Sequence, residues 1–345
     1  DEKITIMDTV DQRASEEWMK NVLDALEQQK PAYLVISHLE PDHSANILAL
    51  AKKFPKMQIV GNVKTKNMLP QFFEEDLSER LISVVEGETL CIGTHTLQFF
   101  MAPMVHWPEV MVTYEQSERI LFSADGFGTF GALCNHREWI EDARHYYINI
   151  VGKYGASVLN LLKKIEDLDI EKIAPLHGPV LDGDLSYYIH KYTLWASYEP
   201  EEEGIFVPYA SIHGNTKKAV LQFCKELEAA GENVIPMDLT REDVSEAVEM
   251  AYRYDRMILA ACTYDGTLFP PMEDFLYHLE IKAFQNRKVG LIENGSWAPA
   301  AGRKMSEHFG KMKDIEICEQ VVTIKTTRKP ENQEAFDLLK AQIAK

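Results

Sequence analysis

The sequence predicts a chain of mixed α/β and α+β class in two domains. Residues 1–199 read as stacked sheets flanked by helices, and residues 203–345 as a doubly wound, five-stranded parallel sheet. Three observations carry this. The 345 residues suit about two domains of roughly 150 residues each. Apolar segments are interleaved irregularly before residue 199 and alternate strictly after residue 204. Between them, Glu199-Pro200-Glu201-Glu202-Glu203-Gly204 joins a proline, a run of acids and a glycine, as linkers do.

In the first domain the opening residues Lys3 to Asp8 already read as a strand, although the chain starts at Asp1 without an initiator Met. The natural N-terminus is therefore expected to lie upstream, and a signal peptide cannot be judged from this sequence. Glu16–Gln28 has helical spacing. Ala32–Ser37 is a short apolar run that ends at a polar cluster read as a loop, and Ala45–Phe54 after it is helical. Short strands bounded by turn residues follow at Gln58–Val60, Leu81–Val84, Thr96–Met101, Val110–Tyr114 and Arg119–Ser123. Helical patterns cover much of Glu138–Leu168 and all of Leu185–Ser197. Several consecutive strands between helices suggest sheet stacked on sheet.

The second domain alternates five times. Its strands are Ile205–Tyr209, Asn233–Met237, Met257–Ala261, Lys288–Ile292 and Ile315–Val322. Its helices are Thr216–Ala230, Arg241–Tyr252, Met272–Phe284, Pro299–Phe309 and Asn332–Ala344. That alternation is the pattern of a parallel sheet covered on both faces.

Composition excludes several functions. A formal net charge of −18 repels phosphate backbones, so no nucleic-acid partner is expected. No run of about 18 apolar residues is present, so no membrane span is expected. The five cysteines, Cys91, Cys134, Cys224, Cys262 and Cys318, form no CxxC pair. Their odd number and spacing argue against a disulfide framework or a thiolate metal site, and for a reducing, cytoplasmic compartment.

The strongest local signal is His38-Leu39-Glu40-Pro41-Asp42-His43, four metal-ligand types in six residues at the end of an apolar strand. Without a cation, its carboxylates would crowd one another at a cost. His106, Asp125 and His177 also stand just after short strands. Read singly, each is an ordinary loop residue. Together the seven would serve two metals with one shared carboxylate. A carboxylate at Glu40 adds negative, hard oxygen ligation and so favours redox-active iron.

In the second domain, Ser211-Ile212-His213-Gly214-Asn215-Thr216 connects a strand to a helix. Loop amides and a helix N-terminus suit a phosphate dianion, Ser211 and Thr216 can donate hydroxyl protons, and Gly214 permits close approach. Lys217 and Lys218 read as a solvated helix face. Two further loops, Cys262-Thr263-Tyr264-Asp265-Gly266-Thr267 and Glu293-Asn294-Gly295-Ser296-Trp297-Ala298, follow the third and fourth strands. They would lie at the carboxyl edge of the sheet, where ligands bind. No GxGxxG is present, which argues against a dinucleotide.

The set His38-x-Glu40-x-Asp42-His43 with His106, Asp125 and His177 resembles the metal motif of the flavodiiron proteins, a branch of the metallo-β-lactamase superfamily. The Ser-x-x-Gly-Asn-Thr loop is similar to the phosphate loop of flavodoxins. The resemblance covers nearly the whole chain. It implies a metallo-β-lactamase-like αββα sandwich, N-terminally incomplete, followed by a flavodoxin-like domain. It implies that His38, Glu40 and His106 hold one iron, that Asp42, His43 and His177 hold the other, and that Asp125 bridges them. It also implies FMN at Ser211, Ile212, His213, Gly214, Asn215, Thr216, Thr263, Tyr264, Asp265, Gly266, Asn294, Gly295, Ser296 and Trp297, with Tyr264 or Trp297 as the candidate to stack on the ring.

The implied activity is reduction of dioxygen to water or nitric oxide to nitrous oxide. Electrons would come from a small rubredoxin-like protein or a reduced deazaflavin coenzyme. The implied assembly is a head-to-tail homodimer or a dimer of dimers. Two alternatives stand beside this reading: a zinc hydrolase of the same fold fused to a flavodoxin-like module, and a non-enzymatic electron carrier. His95, His136, His145, His190, His213, His278 and His308 have no cluster of their own and are read as surface or packing residues. Of these, His136 is a candidate to line the iron pocket and His213 to touch FMN through its backbone. Cys262 is read as a small residue beside the flavin.

Overall fold

A computed structural model describes residues 1–131 and 138–344. The chain divides into two compact units. The first comprises Asp1–Ala143 and Ala156–Thr193, and the second Arg144–Gly155 and Leu194–Lys345.

The first unit holds two sheets. One has the strand order β1 (Thr5–Met7), β2 (Tyr33–Val35), β3 (Gln58–Gly61) and β4 (Leu81–Ser83), all parallel. The other runs β5 (Thr89–Cys91), β6 (Thr96–Met101), β7 (Met111–Glu115), β8 (Ile120–Phe122) and β9 (Lys172–Ala174). It is antiparallel except where β8 pairs with β9. Strand alternation explains the layering. Around β2, Leu34 and Ile36 face a cluster with Leu50 of the helix Ile47–Lys53 and the partly buried Trp18. Tyr33 and Val35 face the other way, toward Val60, Leu97, Phe99 and Met111. Sheet therefore packs on sheet, with helices outside.

Three local details differ from the sequence expectation. The polar cluster after β2 is not all loop: Pro41–Ser44 forms a helical turn with proline at its start, where the missing N–H costs nothing. The strand β5 and the helix Val63–Met68 were not anticipated. Both are short, and three- to six-residue segments carry too little period to be seen. That helix is capped by Asn62, whose side-chain oxygen accepts from Lys64 N–H and Thr65 N–H.

In the second unit, β10 (Glu202–Ala210), β11 (Val234–Asp238), β12 (Tyr254–Tyr264), β14 (Gln285–Asn294) and β15 (Lys313–Ile324) form a parallel sheet. A two-residue antiparallel β13 (Thr267–Leu268) is appended to β12. The order is β11-β10-β12-β14-β15. Glu202 and Glu203, expected in the linker, are already strand. One face carries Ile205, Val207 and Tyr209 against Phe223 and Phe336 of the helices Asn215–Glu228 and Gln333–Ile343. On the other, Phe206 meets Phe275 of the helix Pro270–Ile281. Gly290 on β14 admits the last helix: a Cβ there would stand 2.9 Å from Leu339 Cδ1. The strand order reverses between β10 and β12, and the loops that leave both strands at their carboxyl ends flank that point.

Candidate metal and flavin sites

The ends of β2, β6 and β8, and the turn after β9, deliver the seven ligand-type residues of the first unit to one place. His38, Glu40, His106 and Asp125 have ligand atoms within 4.8 Å of one another, and so do Asp42, His43 and His177. Asp125 connects the groups. Its Oδ2 lies 3.6 Å from His38 Nε2 and 3.4 Å from His106 Nε2. Its Oδ1 lies 3.0 Å from His43 Nε2 and 3.6 Å from His177 Nε2. Within the first group, Glu40 Oε2 is 3.2 Å from His38 Nε2 and 3.1 Å from His106 Nε2. Within the second, Asp42 Oδ2 is 3.3 Å from His43 Nε2 and 3.1 Å from His177 Nε2.

These spacings fit a pair of metal ions. Bonds of about 2.1 Å place the ligand atoms of one ion about 3.0–3.4 Å apart, the edge of an octahedron or tetrahedron. Two further features agree. Asp125 Oδ1 is buried and has no hydrogen-bond partner among the described residues, although His43 Nε2 is so near. The two atoms meet at hydrogen-bond distance without its direction, as two ligands of one ion do. His43 Nε2 and His177 Nε2 also face each other at 3.1 Å, which two neutral imidazoles tolerate only with a proton or a cation between them.

The protonation pattern without a cation says the same. Burial resists charging His38, but Glu109, Glu40 and Asp125 outweigh it and push the imidazole up to about 10. His106 and His38 hold the Glu40 carboxyl down at about 2. Burial would raise Asp125, yet the imidazoles of His106 and His43 hold it well below the carboxylate range. Burial opposes charging of His43 and His106 as well, and neighbouring carboxylates, Asp125 foremost, still raise both. His177 is lowered, chiefly by burial. Protons thus occupy the places a metal would take.

Two supporting carboxylates escaped the sequence reading. Glu109 is fully buried. Its Oε1 accepts from His38 Nδ1–H at 2.8 Å and from Leu39 N–H at 2.9 Å, which fixes Nε2 as the metal-facing nitrogen. Asn62 Nδ2 donates to the Glu109 carbonyl at 2.7 Å and anchors its backbone. Asp8 accepts from Ser37 N–H at 2.8 Å and His38 N–H at 3.2 Å, and burial pushes its carboxyl up to about 6. Nothing in the sequence sets Glu109 apart; it stands two residues before β7, and only the structure shows that strand to be buried throughout. His136 and Cys134 lie outside the described residues.

In the second unit a cleft of about 490 Å³ opens at the carboxyl edge of the sheet. Thirteen of the fourteen residues expected to bind the cofactor line it: Ser211, Ile212, His213, Asn215, Thr216, Thr263, Tyr264, Asp265, Gly266, Asn294, Gly295, Ser296 and Trp297. Gly214 is not in the lining; it sits just behind, capping the helix Asn215–Glu228 at φ 87°, a conformation natural to glycine. Cys262 and Ala298 join the wall, as does Thr326, which was not anticipated. Thr326 follows β15, whereas the residues expected from the sequence all follow the first, third and fourth strands. Lys217 is tied to Asp238 at 3.0 Å and takes no place in the wall. Tyr264 is 43% and Trp297 91% exposed, so both rings present surface at the cleft. The four described cysteines, Cys262 among them, are unpaired.

The chain resembles known proteins along most of its length. Residues 1–178 match the model of the ODP family beta lactamase. An uncharacterized protein of Methanocaldococcus jannaschii is 26% identical over 339 residues, covering 96% of this chain and 85% of the relative. The anaerobic nitric oxide reductase flavorubredoxin of Aliivibrio fischeri is 28% identical over 312 residues, which is 86% of this chain but only 62% of the relative. The rubredoxin oxygen:oxidoreductase of Desulfovibrio gigas superposes with a TM-score of 0.91 at 24% identity, over 99% of this chain and 88% of that one. At that identity the likeness is one of fold.

Proposed function

The chain belongs to the flavodiiron family, and from that premise we propose that it is an FMN- and di-iron-dependent oxidoreductase that reduces dioxygen to water or nitric oxide to nitrous oxide with electrons from a small redox partner. The observation that carries this reading is the two-sided approach of Asp125, one oxygen to each ligand group.

When bound, FMN would supply one- and two-electron chemistry, and an iron pair would supply ferrous–ferric chemistry toward a small oxidant. His38, Glu40 and His106 would hold one iron, Asp42, His43 and His177 the other, with Asp125 shared. The chain's own task is placement. Glu109 holds the His38 ring and its tautomer. Thr9 Oγ1 donates to the His43 carbonyl at 2.6 Å and steadies that turn. The Phe130 ring lies 4.3 Å from the His177 ring and shields one side of it from water. Glu40 supplies a carboxylate, a hard oxygen ligand that favours iron.

The partner is proposed to be a separate rubredoxin-like protein or a reduced deazaflavin coenzyme, the assembly a head-to-tail homodimer, and the setting the cytoplasm. Among the described residues no helix is long and apolar enough to cross a membrane. The test is anaerobic purification with iron, zinc and flavin quantified, followed by reduction and separate addition of dioxygen and nitric oxide. Two irons, one flavin and rapid reoxidation by either gas are expected. Two zincs without reoxidation would overturn the proposal in favour of a hydrolase.

A further inference from the structure

We propose that Asn294 is the positioning residue that makes the flavin cleft selective for a phosphorylated flavin, by forcing the Thr216 hydroxyl to act as a donor. This rests on the reading of the cleft as an FMN site.

The argument starts with the Asn294 side chain, which is buried at the end of β14. Its Oδ1 accepts from Thr326 N–H at 3.0 Å and its Nδ2 donates to Thr326 C=O at 3.0 Å. A backbone N–H can only donate and a carbonyl can only accept, so this pair fixes which end of the amide is oxygen. The second Nδ2 proton then points at Thr216 Oγ1, 3.2 Å away. Thr216 is accordingly the acceptor in that contact, and its own proton remains for another partner. No described residue receives it, and Thr216 lines the cleft at the first turn of the helix Asn215–Glu228.

Two other wall hydroxyls are set the same way. Ser211 Oγ accepts from Gly214 N–H at 3.1 Å. Thr263 Oγ1 accepts from Ala300 N–H at 2.9 Å and Ala301 N–H at 3.3 Å. Each is left with a proton directed away from the protein's own donors. Lys217, which follows Thr216 in the helix, is engaged with Asp238. The cleft therefore meets an anion with neutral, pre-aimed donors, and Asn294 sets the aim of the most buried of them.

The test uses the full chain stripped of flavin and titrated with FMN and with riboflavin, which lacks the phosphate. Asn294→Asp keeps the size and the acceptor for Thr326 N–H, but it places an acceptor opposite both Thr216 and the Thr326 carbonyl. The hydroxyl then turns its proton inward and its lone pairs toward the ligand. A hydrogen bond to a charged group carries more weight than a neutral one, so the FMN Kd should rise about ten-fold or more relative to the riboflavin Kd. Asn294→Ala, which frees the hydroxyl without reversing it, should cost FMN less, about five-fold. On a Thr216→Val background neither substitution should change the FMN-to-riboflavin ratio further.

Equal weakening of both flavins by Asn294→Asp would show a merely structural role and overturn the proposal. Equal affinity of the unaltered chain for FMN and riboflavin would also overturn it, by removing the phosphate from this cleft. If the unaltered chain binds neither, it is the flavin reading itself that fails.

Discussion

Replacing Glu109 tests how far the metal site depends on a group that never touches the metal. The carboxylate is fully buried and its Oε1 serves two donors, His38 Nδ1 at 2.8 Å and Leu39 N at 2.9 Å, while Oε2 has no partner among the described residues. Glu109→Gln keeps the shape and one carbonyl oxygen for both donors but removes the charge. A charge-assisted hydrogen bond is worth about 1.5–3 kcal/mol and a neutral one about 1 kcal/mol. The His38 contact therefore weakens by roughly 1–2 kcal/mol, about ten-fold in metal affinity, the lower end of the range for groups supporting a ligand. Glu109→Ala goes further. It strands the Leu39 N–H and the His38 Nδ1–H, each at about 1–3 kcal/mol, and should lower folding stability by about 2–5 kcal/mol. Competition against a chelator gives the affinities, and denaturant melts of metal-free protein give the stabilities. An unchanged metal affinity in Glu109→Gln, with two metals still bound, would refute the reasoning.

Three further outcomes are expected. Asp125→Asn should reduce bound metal from two ions to one or none, read by elemental analysis, with flavin content unchanged. The pH dependence should have opposite signs with and without metal. His38 is raised from 6.5 to about 10 in the metal-free fold, so its stabilising charge is fully present below about 6.5 and is lost as pH rises through 10; metal must displace that proton, so metal affinity should climb across the same window, measured by chelator competition at stepped pH. Arg144→Met should destabilise the second unit by about 3–5 kcal/mol in denaturant melts. It removes a buried cation from Glu201 at 2.6 Å and Glu249 at 2.9 Å, leaving two carboxylates in low dielectric.

The parts of this architecture that repeat were legible. Five strand–helix alternations announce the parallel sheet, and the boundaries shift by only a few residues because strands such as β12 and β14 run past their apolar cores into charged ends like Asp255 and Arg287. The cluster His38 to His43 was legible as a candidate because four ligand-type residues in six follow an apolar strand, and the fold brings His106, Asp125 and His177 to it. Glu109 was not, because an acid after Trp107-Pro108 reads as a solvated turn; only the depth of the fold turns it into a ligand support. Thr326 stayed hidden for a related reason. Nothing in Lys325-Thr326-Thr327 marks it, and its role comes from Asn294 reaching across from the neighbouring strand.

The pairing of β8 with β9 sets a timetable for the nascent chain. Asp125 follows β8 directly, whereas His177 follows β9 after a helical crossover through residues 139–165. A ribosome releases His38, Glu40, His106 and Asp125 well before His177. The quartet is complete without β9, whereas the trio of Asp42, His43 and His177 comes together only where β9 pairs with β8, so the second ligand group depends on a strand pairing that the first does not need.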